Sequence, residues 1–285
     1  MSKVLFMTVL MIFSSFPSFL FAQLTLQTPN VESKLYLGQG KNQPLIVGLG
    51  GSEGGNAWAS DYWKITRDQF LAKGYAFLAL GYFGANGTPQ QLNKIAIDEV
   101  YAAIKLAVAT KGVNPKKIAI LGGSRGGDLA LLLGAHYPDI SCVVALVPSH
   151  VAFAGNTNHL STSAWTYQGQ ELSFVPVNEA AFPHLMKRDL RAAFTAMLQD
   201  SLAEEKALIA VEKINGPIFL LSATQDEIAP TTSMCEKMMN RLKEQGFKHH
   251  YEHLAVEGGH AEPLKYFERV FEFLTKYYPP YQKKN

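Results

Sequence analysis

Lys117-Ile-Ala-Ile-Leu-Gly-Gly-Ser-Arg-Gly-Gly-Asp-Leu-Ala-Leu-Leu-Leu133 is the stretch whose reading decides the fold. It opens as a short apolar run, turns on glycines around a single serine, and closes as an apolar helix-forming run. Gly122-x-Ser124-x-Gly126 inside it has the spacing of a nucleophile elbow. A strand that reverses into a helix within a few residues strains the backbone of the residue at the tip. Side chains on either flank of the tip would collide with the neighbouring strand and helix, which is why glycines stand there. The serine Oγ is then held clear of the sheet at a helix N-terminus, where free N–H groups and the helix dipole favour a developing negative charge. Glycine-rich turns also bind phosphates, but the chain has neither the G-x-G-x-x-G nor the G-K-[ST] spacing that such loops need.

Working outward, similar apolar runs recur at Pro44–Leu49, Tyr75–Leu80, Ser141–Leu146, Pro217–Leu221 and His250–Val256. Amphipathic helices fit between them: Ile97, Val100, Tyr101, Ile104 and Val108 share one face, as do Phe267, Phe271 and Leu274. Strands alternating with helices predict an α/β fold, a doubly wound, mostly parallel sheet with helices on both faces. Ligands in such sheets bind at the carboxyl ends of the strands, so functional residues are expected directly after the apolar runs. One segment, His150 to about Asp189, breaks the rhythm. It holds Phe153, Trp165, Tyr167, Phe174 and Phe182 among polar residues and reads as a lid insertion.

A serine hydroxyl needs a base to take its proton. After a glycine-bearing elbow of this kind the expected chain order is serine, acid, histidine. Asp226 follows the Pro217–Leu221 run, with Glu227 beside it as the rival acid. His260 follows the last run on Glu257-Gly-Gly-His260. Ser124, Asp226 and His260 are therefore the expected nucleophile, orienting acid and base. His249, His250 and His253 crowd one strand, but neighbouring residues point to opposite faces and make a poor metal site. The early loop Gly50-Gly-Ser-Glu-Gly-Gly55 stands where such hydrolases place the second oxyanion-hole N–H. Ser52 or Glu53 would supply it, and Arg125, the residue after the nucleophile, the first.

With these motifs in place the chain resembles the C-terminal hydrolase domain of the acyl-CoA thioesterase and bile-acid-CoA:amino acid N-acyltransferase family. That family is similar to dienelactone hydrolase within the α/β-hydrolase superfamily. The resemblance runs from about Pro44 to the C-terminal helix. It is carried by Gly50–Gly55, Leu80-Gly-Tyr-Phe-Gly84, Ile120–Leu131 and Ala164-Trp-Thr-Tyr-Gln-Gly-Gln170. It implies acyl transfer from a thioester to Ser124 followed by deacylation, with Tyr82, Phe83, Trp165 and Tyr167 as lid or substrate-binding residues. It also implies hydrolysis rather than amine acylation, because the acyltransferases resemble a cysteine version of the elbow. No metal or redox cofactor is called for. Lys187, Arg188 and Arg191 form either a phosphate-binding patch for CoA or a solvated helix face. An ester hydrolase acting on oxygen esters is the alternative, and a non-catalytic binding protein on the same scaffold a third reading.

The remaining features bound the setting. Of 285 residues, 47% are hydrophobic and 18% charged, enough for a large core and against wholesale disorder. A net charge of +2 lacks the basic stripe of a nucleic-acid surface. Two cysteines exclude a disulfide framework. Residues 1–22 read as a secretory signal peptide: Lys3, an apolar run Val4–Phe13, helix breakers and a small residue at Ala22. The expected organisation is a signal at 1–22, a short segment at 23–43 and a hydrolase domain at 44–285 with the lid at about 150–189. The 23–43 segment is too short for the immunoglobulin-like sandwich of the longer thioesterases, which needs about a hundred residues. The mature chain is expected outside the cytoplasm, periplasmic or secreted, with no stable membrane span and a small acyl thioester or ester as its partner. An uncleaved N-terminal anchor is the alternative.

Overall fold

The computed structural model describes residues 22–280. The signal-peptide reading, apart from Ala22, lies outside the described residues. An eight-stranded sheet runs in the order β1 (Ala22–Leu26), β2 (Glu32–Leu37), β4 (Ala76–Gly81), β3 (Gln43–Leu49), β6 (Val113–Gly123), β7 (Ile140–Leu146), β10 (Ile218–Ala223) and β11 (Tyr251–Val256). From β4 to β11 every pairing is parallel, whereas β1 and β2 add antiparallel to the β4 edge. The six apolar runs are thus the six parallel strands. The two antiparallel strands fall in the polar stretch before Pro44. Their signal is weak because β1, at the edge, is mostly exposed and β2 is only half buried.

The parallel strands are buried on both faces along their apolar runs, except β11 at the sheet edge, which is half-buried. Leu45, Val47 and Leu49 of β3 pack on one side with α2 (Ile97–Val108) and α3 (Arg125–His136), together with Cys235 and Met238 of α7 (Thr231–Glu244). Ile46 points to the other side, where Phe70 of α1 (Lys64–Ala72) and Phe271 and Leu274 of α8 (Phe267–Tyr277) cover it. This alternation is why an uninterrupted apolar run is required in a strand covered on both sides. Phe70 and Phe271 meet at 4.7 Å between ring centroids, tying the first and last helices together across that face.

Between β7 and β10 the chain leaves the sheet. Its 147–217 segment carries β8 (Trp165–Tyr167) and β9 (Gln170–Glu171), which join β5 (Ile95–Ala96) in a small second sheet. It also carries the short helices α4 (Phe182–Met186), α5 (Leu190–Met197) and α6 (Ser201–Lys206). Val151, Phe153, Val175, Ala193, Met197 and Met234 give this roof a separate apolar core. Asp189 and Asp200 cap α5 and α6 by accepting the N–H groups of Ala192 and Ala203.

Candidate active site

The strand order reverses between β3 and β6: the chain leaves β3 toward β4 on one side and returns to β6 on the other. The carboxyl ends of β3 and β6 therefore open a crevice at the switch point. Gly50 and Ser124 leave the sheet there.

Ser124 sits between β6 and α3 at φ 53°, ψ −124°, a conformation that L-residues adopt only under constraint. The constraint is visible. A Cβ on Gly122 would lie 1.9 Å from the Gly126 carbonyl oxygen, and one on Gly126 would lie 2.3 Å from the Gly50 oxygen. The elbow forms only because both positions lack a side chain. The Ser124 N–H donates to the Leu146 carbonyl at 2.8 Å, so the tip remains tied to β7.

Asp226 follows β10 and is fully buried. Its Oδ1 accepts the N–H groups of Ile228 (2.9 Å) and Ala229 (3.2 Å), and its Oδ2 accepts the Thr231 hydroxyl at 2.7 Å. His260 Nδ1 lies 2.9 Å from both carboxylate oxygens. Burial works against ionisation, yet the bonds from His260, Thr231 and Ile228 hold the carboxyl below its ordinary value. The charged acceptor fixes the proton of the imidazole on Nδ1 and leaves Nε2 as the basic nitrogen. Glu227 plays a different part. Its Oε2 accepts the backbone N–H of His260 at 2.9 Å, so one acid orients the ring and its neighbour holds the loop. Arg191 Nη1 in turn donates to the Asp226 carbonyl at 2.5 Å, drawing α5 onto the acid loop.

Ser124 and His260 line one cavity of about 770 Å³ beneath the roof. No hydrogen bond joins Ser124 Oγ to His260 among the described residues. Such bonds often close only around substrate. Trp58, Trp63, Leu121 and Phe267 form one apolar wall, and Phe153, Phe194, Met197 and Met234 the other. Ser52, Glu53 and Arg125 line it too. The Glu53 carboxylate folds back to accept the Gly51 N–H at 3.0 Å, which removes that amide from the oxyanion site. Among the described residues Arg125 is the only Lys or Arg in the lining, and its Nη2 donates to the Ala154 carbonyl at 2.8 Å. Lys187 and Arg188 are exposed and off the lining.

The four aromatic lid readings need correction, because none of Tyr82, Phe83, Trp165 and Tyr167 reaches the cavity. Tyr82 lies underneath the early loop and donates its hydroxyl to the Gly50 carbonyl at 2.7 Å. Phe83 packs against Gly54, where a Cβ would meet its ring at 2.9 Å. Trp165 is wholly buried against Tyr82, with ring centroids 5.9 Å apart. Tyr167 packs at a tilt against His136, with ring centroids 4.6 Å apart. Aromatic rings are as useful for core packing as for binding, and their chain position does not tell which. The side chains that do line the roof wall, Phe194, Met197 and Met234, carry no motif. They are ordinary apolar positions of α5 and α7, and only the helix docking turns them inward. A second serine–histidine pair, Ser222 Oγ to His253 Nε2 at 2.7 Å, joins β10 to β11, and neither residue lines the cavity beneath the roof.

The sheet and its covering helices have the α/β-hydrolase fold. An esterase of Pyrococcus furiosus superposes with a TM-score of 0.60 at 16% identity, covering 91% of this chain and 94% of its own. An acylaminoacyl peptidase of Pyrococcus horikoshii gives a TM-score of 0.66 at 12% identity over 96% of this chain and 44% of its own. Residues 101–269 match the family model described as BAAT / Acyl-CoA thioester hydrolase C terminal, and the chain belongs to that family. Among its relatives, acyl-coenzyme A amino acid N-acyltransferase 1 of Mus musculus is 23% identical over 78% of this chain and 49% of its own length. Human mitochondrial acyl-coenzyme A thioesterase 2 is 26% identical over 79% of this chain and 44% of its own. The chain thus spans about half the length of the curated relatives it matches.

Proposed function

We propose that this protein is a serine hydrolase that cleaves acyl thioesters through an acyl-enzyme on Ser124. One observation carries the reading: a strained serine and an acid-held histidine open onto the same apolar cavity. In the proposed sequence His260 Nε2 takes the Ser124 proton as Oγ attacks the acyl carbonyl carbon. The oxyanion is received by the N–H groups of Arg125 and of Ser52 or Glu53. The tetrahedral intermediate collapses, the thiol leaves with the proton from His260, and an ester bond to Ser124 remains. Water, deprotonated by His260, attacks that ester and releases the acid, returning the proton to Ser124. Asp226 keeps the imidazole in the required tautomer throughout. Membership in a family whose relatives include acyl-CoA thioesterases supports a thioester as the substrate.

The oxygen-ester reading is favoured by a separate observation. The single cation of the cavity lining is tied to the Ala154 carbonyl, which leaves little there to receive the phosphates of CoA. Thiol release from an acyl-CoA chain-length series, with Ser124→Ala as the blank, separates the two. Serine-dependent turnover is expected. Silence on every thioester, with simple oxygen esters still cleaved, would move the protein to the ester hydrolases. Export is part of the proposal: cleavage after Ala22 would leave Gln23–Leu26 to pair with β2. The N-terminal residue of the protein recovered from outside the cytoplasm is expected to be Gln23, and an intact Met1 there would refute cleavage.

A further inference from the structure

The first turn of α3 carries a charged pair for which the proposed chemistry has no use. Asp128 is buried at the cavity wall, and its Oδ1 accepts the Ser149 N–H at 2.7 Å. Arg125 Nη1 stands 3.5 Å from its Oδ2, while Arg125 Nη2 reaches the Ala154 carbonyl at 2.8 Å. The nucleophile helix thus grips the 147–154 segment at two points. That segment is under strain where it begins. Val147, a β-branched residue, is held at φ 46°, a conformation that persists only when its surroundings enforce it. Val147, Ser149, Phe153 and Ala154 all line the cavity. We propose that Asp128 and Arg125 are positioning residues, a strut from the nucleophile helix that holds the 147–154 wall in shape and so sets how tightly the acyl group is received.

Burial pushes the Asp128 carboxyl up to about 6, and Arg125, the Ser149 N–H and His260 only partly offset it. Glu53 faces the same cluster through Tyr82, and Cys235 approaches from α7. An ionised Asp128 therefore costs stability, in part offset by Arg125 and the Ser149 N–H.

The inference rests on the hydrolase reading, so its test has an arm that needs no substrate. Hydrogen–deuterium exchange over residues 147–154 is compared in the parent, Asp128→Leu and Asp128→Asn, with β6 and β7 as internal references. Asp128→Leu is expected to raise exchange there at least tenfold while β6 and β7 stay unchanged. Asp128→Asn, which keeps an acceptor for the Ser149 N–H, is expected to restore most of the protection. Steady-state kinetics on the better of the two ester classes should show KM raised at least tenfold in Asp128→Leu, kcat within about threefold, and partial rescue by Asp128→Asn. Unchanged exchange would overturn the strut. Changed exchange with KM unmoved, or loss of protection across the whole sheet, would overturn the positioning role. Absence of turnover in the parent would instead sink the hydrolase reading, and exchange would still judge the strut.

Discussion

The elbow and the roof face each other across one cavity and are held by different means. At the elbow, backbone does the holding. Parallel strands deliver Ser124, glycines admit the turn, and the Ser124 N–H rejoins the sheet at Leu146. The roof is stitched to itself by isolated bridges such as Val151 to Leu208 and Phe153 to Val175, and it touches the rest of the fold through the two-residue pairing of β8 with β5 and through single side chains. Asp128 holds Ser149, Arg125 holds Ala154, and Glu204 of α6 joins His150 to Lys237. Ser124 is thus placed by regular structure, whereas the opposite wall of the cavity depends largely on individual contacts. Substitutions in the first region should cost rate, and in the second they should change substrate fit.

The largest expected effect tests the elbow. Ser124→Ala should lower kcat/KM by at least about 10⁴-fold without lowering the melting temperature. Retained activity would remove Ser124 from the chemistry. Next, Asp226→Asn should cost about 10³- to 10⁴-fold in kcat by upsetting the imidazole tautomer. Glu227→Gln should cost about tenfold or less, since Glu227 reaches only the His260 backbone. Equal losses would erase the division of labour between the two acids. On the roof side, Phe194→Ala should raise KM by about tenfold for long acyl chains and leave kcat within about threefold, the mark of lost uniform binding. A pure kcat effect would contradict the contrast between the regions.

The smallest effect concerns stability. Asp128 ionises at an ordinary 3.8 when unfolded and at about 6 when folded. The folded state holds the proton more tightly, so stability is greatest below 3.8 and falls as pH rises through about 6. Relative to Asp128→Asn, the parent should lose up to about 3 kcal/mol across that window. Denaturant unfolding from pH 4.5 to 8 would show it as a gap between the two proteins that widens with pH. A constant gap would mean that Asp128 is already ionised at pH 4.5.

Legibility follows the same division. Five of the six parallel strands could be read because burial on both faces demands unbroken apolar runs, whereas β11 at the edge is half-buried and mixes Glu252 and His253 with its apolar residues; the loops after three of the six carry Ser124, Asp226 and His260. Asp226 and Glu227 could not be ranked by spacing alone, since both acids turn out to touch His260, one at the ring and one at the backbone. The aromatic lid residues misled because Tyr82, Phe83 and Trp165 pack beneath the early loop or within the scaffold instead of over the site.

By itself the sequence determined the parallel sheet, the elbow and the order of serine, acid and histidine, because each depends on local rules: periodicity along a strand, glycine at a tight turn, loops following strands. Tertiary structure alone decided which side chains enclose the cavity, what Glu227 and Arg191 hold, and that Asp128 is buried against a strained wall. Those depend on how α5, α7 and the 147–154 segment dock, and docking is a property of surfaces brought together from distant parts of the chain.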